Sequence, residues 1–360
     1  MANSGDGTAA SRWRGAALAM GAAVLFGAST PAAKLLLGQI DPWLLAAILY
    51  LGSGAGLCTM RILQRAVAPD AGRQTALHGE DWGWFSGAIL AGGVIGPVLL
   101  MIGLSRSSAA STSLLLNLES VATALVAWFV FRENFDRRIA LGMAAIAAGA
   151  VVLSWQASLS LADLLGPLAI AGACLAWAID NNLTRKVSLS DPVQIAMLKG
   201  LVAGSINLAL ALWRGATLPG LGETLAGAAI GLLGYGVSLV LFVFALRSIG
   251  TARTGAYFAT APFIGAMVAF AVLGEPVTWQ FAFAGLLMAV GLWLHLTERH
   301  EHEHEHASTI HDHRHSHDAH HTHAHGPGDP PGEPHAHRHV HTRLRHTHHH
   351  FPDAHHAHEH

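Results

Sequence analysis

The chain has 360 residues, 52% of them hydrophobic and only 12% charged, with a formal net charge of −2 and a mean hydropathy of +0.39. One soluble core cannot hide that much apolar surface, so the composition excludes a water-soluble globular protein and predicts a polytopic membrane protein. Cys58 and Cys174 both fall inside apolar runs, which excludes a disulfide framework and a cysteine metal cage.

Crossing the hydrocarbon core takes about 20 residues of helix. Ten runs of the chain meet that length: Trp13 to Leu37, Pro42 to Leu63, Trp82 to Leu104, Ser108 to Phe131, Ile139 to Trp155, Leu164 to Leu183, Pro192 to Trp213, Leu225 to Leu246, Ala252 to Leu273 and Val277 to Leu296. Arg12 and Arg14 precede the first, but it continues without a cleavage site, so it reads as a first transmembrane helix and not a removed signal. With a cytoplasmic N-terminus, the inner loops receive Arg12, Arg14, Arg61, Arg65, Arg73, Arg132, Arg137, Arg138, Arg185, Lys186, Arg247 and Arg253. The outer loops receive only Lys34, Arg106 and Arg214, so both termini are predicted inside.

The halves repeat. A shift of 142 positions lays Ala110 to Gly149 on Ala252 to Gly291, matching Thr112 with Thr254, Glu133 with Glu275 and Gly149 with Gly291. A shift of 150 lays Asp41-Pro42 on Asp191-Pro192, Ala46 on Ala196 and Gly54 on Gly204. Asp followed by Pro is a helix start: the carboxylate accepts from free N–H groups, and proline lacks the donor that would be orphaned there. Five spans per half is an odd number, so the second half enters the membrane upside down, as in transporters whose substrate sites lie where the halves meet. The predicted fold class is all-α integral membrane, ten helices in two inverted five-helix repeats. The boundaries are 1–12 for the N-terminus, 13–155 and 162–297 for the repeats, and 298–360 for a His-rich cytoplasmic tail. Clusters such as Gly52-Ser53-Gly54-Ala55-Gly56, Gly92-Gly93 and Gly231 with Gly234 and Gly236 predict close helix seams.

Few side chains within the spans carry chemistry. Glu119, flanked by Asn117 and Ser120, lies mid-span, where an ionised group costs about 3 kcal/mol and must face the protein interior or a water-filled cavity. It is a candidate proton-coupling carboxylate or contact for an amine-bearing solute, set against the plainer role of a paired acid holding helices together. Lys199 is its candidate partner, or else snorkels to the cytoplasmic face. Asp180 and Asn181 near the inner end of the sixth span, and Thr30 with Pro31 in the matching place of the first, form polar, helix-loosening stretches of the kind that mark binding sites in inverted repeats. For Asp180 a salt bridge to Arg185 or Lys186 is the stronger expectation. Glu133 and Glu275 are predicted to favour electrostatically the starts of the fifth and tenth helices.

Of the 26 histidines, 24 lie between His300 and His360, in a stretch too polar to offset its ordering entropy, which predicts disorder without a ligand. Alternate residues of an extended chain point the same way, so His300, His302, His304, His306, His311, His313, His315 and His317 are candidate ligands for Zn²⁺, Ni²⁺, Co²⁺ or Cu²⁺. No cofactor is required. No P-loop, dinucleotide fingerprint, zinc-protease helix or GxSxG elbow occurs, which points away from an enzyme and an ATP-driven pump and leaves an ion gradient or the solute's own gradient as the driving force.

Three stretches resemble the drug/metabolite transporter superfamily, in its EamA-type ten-helix branch: Leu25-Phe26-Gly27-Ala28-Ser29-Thr30-Pro31, Ala245-Leu246-Arg247-Ser248-Ile249-Gly250-Thr251-Ala252-Arg253, and Ala261-Pro262 with Leu273-Gly274-Glu275-Pro276. The resemblance covers about Arg14 to Leu296; the first repeat departs from it with Glu119-Ser120 where a proline is usual. It implies a bacterial inner-membrane carrier, usually an exporter of amino acids, other metabolites or drugs, working by alternating access. The expected partners are a small-molecule solute and the lipid bilayer, with divalent ions at the tail, a homodimer left open, and no nucleic acid. Two other readings stay open: a divalent-metal carrier whose tail gathers the ion, and a metal-sensing membrane protein that transports nothing.

Overall fold

Backbone N–H and C=O groups facing lipid find no water, so an apolar run must close its hydrogen bonds on itself as a helix. The computed structural model describes residues 5–67, 81–131, 137–155, 161–186, 191–249, 251–296, 301–306, 310–315, 335–340 and 344–349. It divides into a membrane unit, Met1–Glu298, and a tail unit, Arg299–His360.

In the first half of the membrane unit, α1 (Gly5–Leu36) and α2 (Pro42–Val67) are continuous, whereas the third span joins α3 (Asp81–Ala88) through a π-helical stretch, Ile89–Ile95, to α4 (Gly96–Arg106). The fourth span is divided into α5 (Ala109–Leu115) and α6 (Leu118–Phe131), and α7 (Arg137–Ser154) is the fifth. The second half repeats this order: α8 (Leu161–Lys186), α9 (Pro192–Trp213), α10 (Leu221–Gly231) with a π-helical stretch Leu232–Val237 leading to α11 (Ser238–Ile249), then α12 (Thr251–Phe258), α13 (Ala261–Leu273) and α14 (Trp279–Leu296). Among the described residues nine helical stretches are long and apolar enough to cross a membrane, and Trp279–Leu294 is a shorter apolar tenth. The two Asp-Pro starts form as the sequence predicts: the Asp41 carboxylate accepts from Trp43 N at 2.9 Å and the Asp191 carboxylate from Val193 N at 3.0 Å.

The packing is one contact set written twice. Helix α1 lies against α11 and α13 of the other half, and α8 lies likewise against α4 and α6; α2 pairs with its repeat α9, and α7 with α14. The halves thus interlock and do not merely abut. At the α7–α14 seam a Cβ on Gly149 would lie 2.9 Å from the Ala284 carbonyl, and one on Gly291 2.5 Å from the Gly142 carbonyl. Only glycine permits that approach from both sides, which explains why these two positions match in the repeat.

Two sequence expectations are corrected. Thr30-Pro31 does not loosen the first span, since α1 continues through Pro31 to Leu36. Thr30 is buried, and glycine at Gly265 lets the α13 backbone close on the Gly27 carbonyl, whose helical partner Pro31 cannot supply. Glu275 serves the other half and not its own helix: its carboxylate accepts from Ala109 N at 2.7 Å and Ala110 N at 2.8 Å, the free N–H groups that open α5. Beside it Lys34 Nζ donates to the Leu104 and Ser107 carbonyls at 2.5 and 2.8 Å, closing the end of α4. Glu133 lies outside the described residues.

In the tail unit, where the sequence predicts disorder, four strands are described: β1 (Glu301–His306), β2 (Ile310–His315), β3 (His335–Val340) and β4 (Leu344–His349). Strand β1 pairs antiparallel with β4, and β2 with β3, in two separate two-stranded ladders. Alternation of histidine with other residues gives the period of two that a strand needs, although two strands alone are marginal in water.

Candidate substrate and coupling site

Both halves break their fourth helix at matching places. In the first, Asn117 N donates to Leu114 O, Glu119 N to Leu116 O and Ser120 N to Asn117 O, a run of tight three-residue bonds. In the second, Thr260 N donates to Tyr257 O and Phe263 N to Thr260 O. Side chains add donors to the carbonyls of the first break: buried Asn117 Nδ2 donates to Leu114 O at 2.8 Å, and the Cys174 thiol lies 3.7 and 3.9 Å from the Leu115 and Leu116 carbonyls. Glu119 follows as the second residue of α6, where the free N–H ends of a half-helix favour negative charge.

The deep charges pair differently from the sequence reading. Asn181 Nδ2 donates to Glu119 Oε1 at 2.8 Å. Lys199 does not partner Glu119; its ammonium forms an ion pair with Asp180, which also accepts from Thr184 Oγ1 at 3.0 Å. The other partners expected for Asp180, Arg185 and Lys186, have side chains that lie outside the described residues.

Helix geometry locates Asn181. Ile170, Cys174, Trp177 and Asn181 follow one another at intervals of four, three and four residues, one stripe of α8. The first three are buried, and the opposite face carries the exposed apolar side chains Leu168, Leu175 and Ile179. Asn181 is itself exposed, so its exposure opens on the inside of the bundle and not on the lipid-type face. Glu119 is half-buried beside it.

The π-helical stretch of the third span explains the surrounding polar groups. Widening a turn displaces carbonyls from their usual partners, and buried carbonyls need donors. Tyr50 Oη and Trp177 Nε1 both donate to Gly92 O, at 2.8 and 3.0 Å, and Asn207 Nδ2 donates to Gly93 O at 3.0 Å. A Cβ at Gly92 would collide with the Asp180 carboxylate, so this glycine admits the ion pair.

The EamA-like transporter family matches residues 13–155 and 164–297, one copy per half. The chain belongs to the EamA-like transporter family. It is a multi-pass membrane transporter. It is similar, at 27% identity over 287 residues, to an uncharacterized transporter of Methanothermobacter thermautotrophicus, a match covering 76% of this chain and 83% of the relative. One solved crystal structure, described only as that of a protein, shares the fold with a TM-score of 0.57 at 20% identity, over 78% of this chain and 95% of that one.

Within this EamA-like chain the second half reuses the backbone without the charges. Its π-helical stretch sets Gly234 against Ser29 of α1, as Gly92 is set against Asp180 of α8. Aromatic rings fill the space: Tyr235 stands 5.7 Å from Tyr50 and 5.9 Å from Phe26, and Phe26 stands 5.3 Å from Phe258. Tyr50, Trp177, Asn207 and Tyr235 were not singled out by sequence reasoning. Their signal was indirect: Gly92 and Gly234, 142 positions apart, stood out as small-residue clusters, but nothing in the sequence marks a π turn or the donors it recruits. Of the tail candidates, His302, His304, His306, His311, His313 and His315 lie on β1 and β2, while His300 and His317 lie outside the described residues.

Proposed function

We propose that the chain is a secondary exporter of a small organic solute, an amino acid or related amine-bearing compound or drug, working by alternating access across the inner membrane with both termini cytoplasmic. Glu119 takes the coupling proton or the solute's cationic group, Asn181 holds its carboxylate in the water-accessible interior, and Asp180 with Lys199 forms the adjoining wall. The observation that carries this reading is the exposure of Asn181 on an otherwise buried stripe, with its amide on Glu119. An intramembrane carboxylate that meets water inside a helix bundle is a group that a proton or a cation can reach. Access from one end is further supported by the closure at the other, where Lys34 and Glu275 tie the ends of α4 and α5.

The test uses full-length protein in liposomes with imposed pH gradients, assayed for flux of amino acids and cationic drugs and, in parallel, of Ni²⁺, Co²⁺ and Zn²⁺. Organic-solute flux should respond to the pH gradient, and Glu119→Gln should lower it by about tenfold or more, the equivalent of roughly 1.4 kcal/mol on the barrier, without loss of folded protein. Flux confined to metal ions would replace this reading with that of a metal carrier. Unchanged, still pH-responsive transport in Glu119→Gln would remove Glu119 from the mechanism.

A further inference from the structure

In an inverted repeat every helix contact at one end of the bundle has a mate at the other end. A shift of 142 positions carries α5 to α12 and α6 to α13, and a shift of 150 carries α1 to α8 and α2 to α9. Most mates agree: α1 lies on α11 and α13 as α8 lies on α4 and α6. At the two ends they disagree. Beside Lys34 and Glu275, α13 packs on α5, α1 on α5 and α10 on α2. At the opposite end, among the described residues, α6 makes no comparable contact with α12, nor α8 with α12, nor α3 with α9. Three mates missing together mean that one end is closed and the other spread. The spread end is the one onto which Asn181 is exposed.

The closed seam is tightest at one point. A Cβ on Gly265 of α13 would lie 2.7 Å from Ser113 Oγ of α5, 3.1 Å from the Ser113 Cβ and 2.7 Å from the Gly27 carbonyl. Ser113 is buried and its hydroxyl has no hydrogen-bond partner among the described residues, so closure leaves a polar group unsatisfied that separation would return to water. Two charged side chains straddle the same boundary and hold it shut. Glu275, which follows α13, accepts from the first N–H groups of α5, and Lys34 of α1 donates to the last carbonyls of α4. The mates of these residues are engaged otherwise. Outside its own helix nothing described lies within 4 Å of the Cβ position of Gly255, the mate of Ser113, so Thr123, the mate of Gly265, stands away from it. Thr184, the mate of Lys34, donates to Asp180 of its own helix at 3.0 Å.

We propose that Thr123 and Gly255 are the gate that shuts the Glu119 end in the opposite state. There α6 comes onto α12 as α13 leaves α5, Gly255 receives Thr123 as Gly265 now receives Ser113, and Lys34 and Glu275 release α4 and α5. The proposal rests on the alternating-access reading and adds to it which residues close the solute's path. Residue types support the pairing. Each seam joins one glycine to one small hydroxyl residue, with the glycine on α13 in the first and on α12 in the second. Two side chains facing each other would hold the helices apart, whereas a glycine on either one lets the backbones approach. The two ends are not equally latched: Lys34 has an uncharged mate in Thr184, so the Lys34 end is the one held shut and the Glu119 end rests spread.

The experiment reads conformation in the full chain, solubilised so that sidedness does not enter, with Cys58→Ser and Cys174→Ala as background. Ser113 and Gly265 set their Cβ positions 3.1 Å apart, so an equal approach at the other end brings Thr123→Cys and Gly255→Cys within disulfide reach, about 3.5–4.5 Å between Cβ atoms. Under Cu²⁺-phenanthroline this pair should cross-link, and Thr123→Cys with Ala256→Cys, one step round α12, should do so about fivefold more slowly. Adding Lys34→Thr, which gives the closed end its mate's residue, should speed the first cross-link by about fivefold. A second readout uses other residues: Ser113→Cys should react slowly with a hydrophilic maleimide and about tenfold faster once Lys34→Thr is present. Cross-linking no faster than in the Ala256 control in protein that still purifies folded, or a Lys34→Thr variant that leaves both rates unchanged, overturns the proposal. Neither readout measures flux, so failure of Glu119→Gln to alter transport is a separate result.

Discussion

At the break of its fourth span the chain places Asn117, Glu119 and Ser120; at the matching break of the ninth it places Thr260, Ala261 and Pro262. The backbone solution is shared, a short run of three-residue hydrogen bonds between two half-helices, yet one break meets an exposed Asn181 and the other packs Ala261 against α1. Ala261 is fully buried, with its carbonyl closed on Gly27 of α1. The same holds for the π-helical stretches, since Gly92 receives Asp180 and two side-chain donors while Gly234 receives Ser29 and a row of aromatic rings. Duplication supplied a frame with two equivalent irregular places, and the polar chemistry occupies only one of them. Symmetry in such a bundle is a statement about backbones and not about sites.

Giving the second half the acid of the first is the harshest way to break this comparison. Ala261→Glu places a carboxylate where no side-chain space exists, and we expect loss of folded protein in detergent, a cost of about 3 kcal/mol or more, whereas Glu119→Gln should leave the melting temperature near that of the parent. Next in size, Lys199→Met leaves Asp180 buried without its cation and should destabilise by about 3–5 kcal/mol. Adding Asp180→Asn to Lys199→Met should restore most of that loss in thermal unfolding, which distinguishes a paired charge from a merely well-packed lysine.

At the seam where the halves do behave alike, Gly149→Val and Gly291→Val should each cost about 1–3 kcal/mol by forcing α7 and α14 apart, and the two losses should be similar in size. A neutral Gly291→Val would show that the seam is not two-sided. Smallest, Glu275→Ala removes the carboxylate that holds the start of α5 and should lower stability by about 1 kcal/mol. In hydrogen exchange the Ala109 and Ala110 amides should lose protection, while α14, which Glu275 precedes, keeps its own.

Much of the architecture was legible in advance because it depends on composition and spacing. Apolar runs long enough to cross lipid must be helices, and the Asp-Pro pairs at Asp41 and Asp191 start two of them for a local reason. Glu119 could be singled out because a mid-span acid is costly wherever it points. Its partner could not, since Lys199 and Asn181 are equally plausible along the sequence and the choice rests on which stripe of α8 faces the fourth span. Thr30-Pro31 misled for a related reason: proline weakens an isolated helix, but α1 continues through Pro31 packed against α13, a neighbour from the other half.

The sequence by itself determined that this is a membrane protein of two inverted repeats, where the two Asp-Pro helices begin, and which carboxylate is out of place in lipid, because each of those follows from local hydropathy, capping chemistry and an odd number of spans per half. Only the tertiary structure decided that Lys199 belongs to Asp180, that Glu275 closes a helix of the opposite half, that Tyr50 and Trp177 serve a displaced carbonyl, and that Asn181 looks inward. Each of these is a contact between helices distant in the chain, and at such contacts the direction of a side chain, fixed by the packing of whole helices, outweighs its identity.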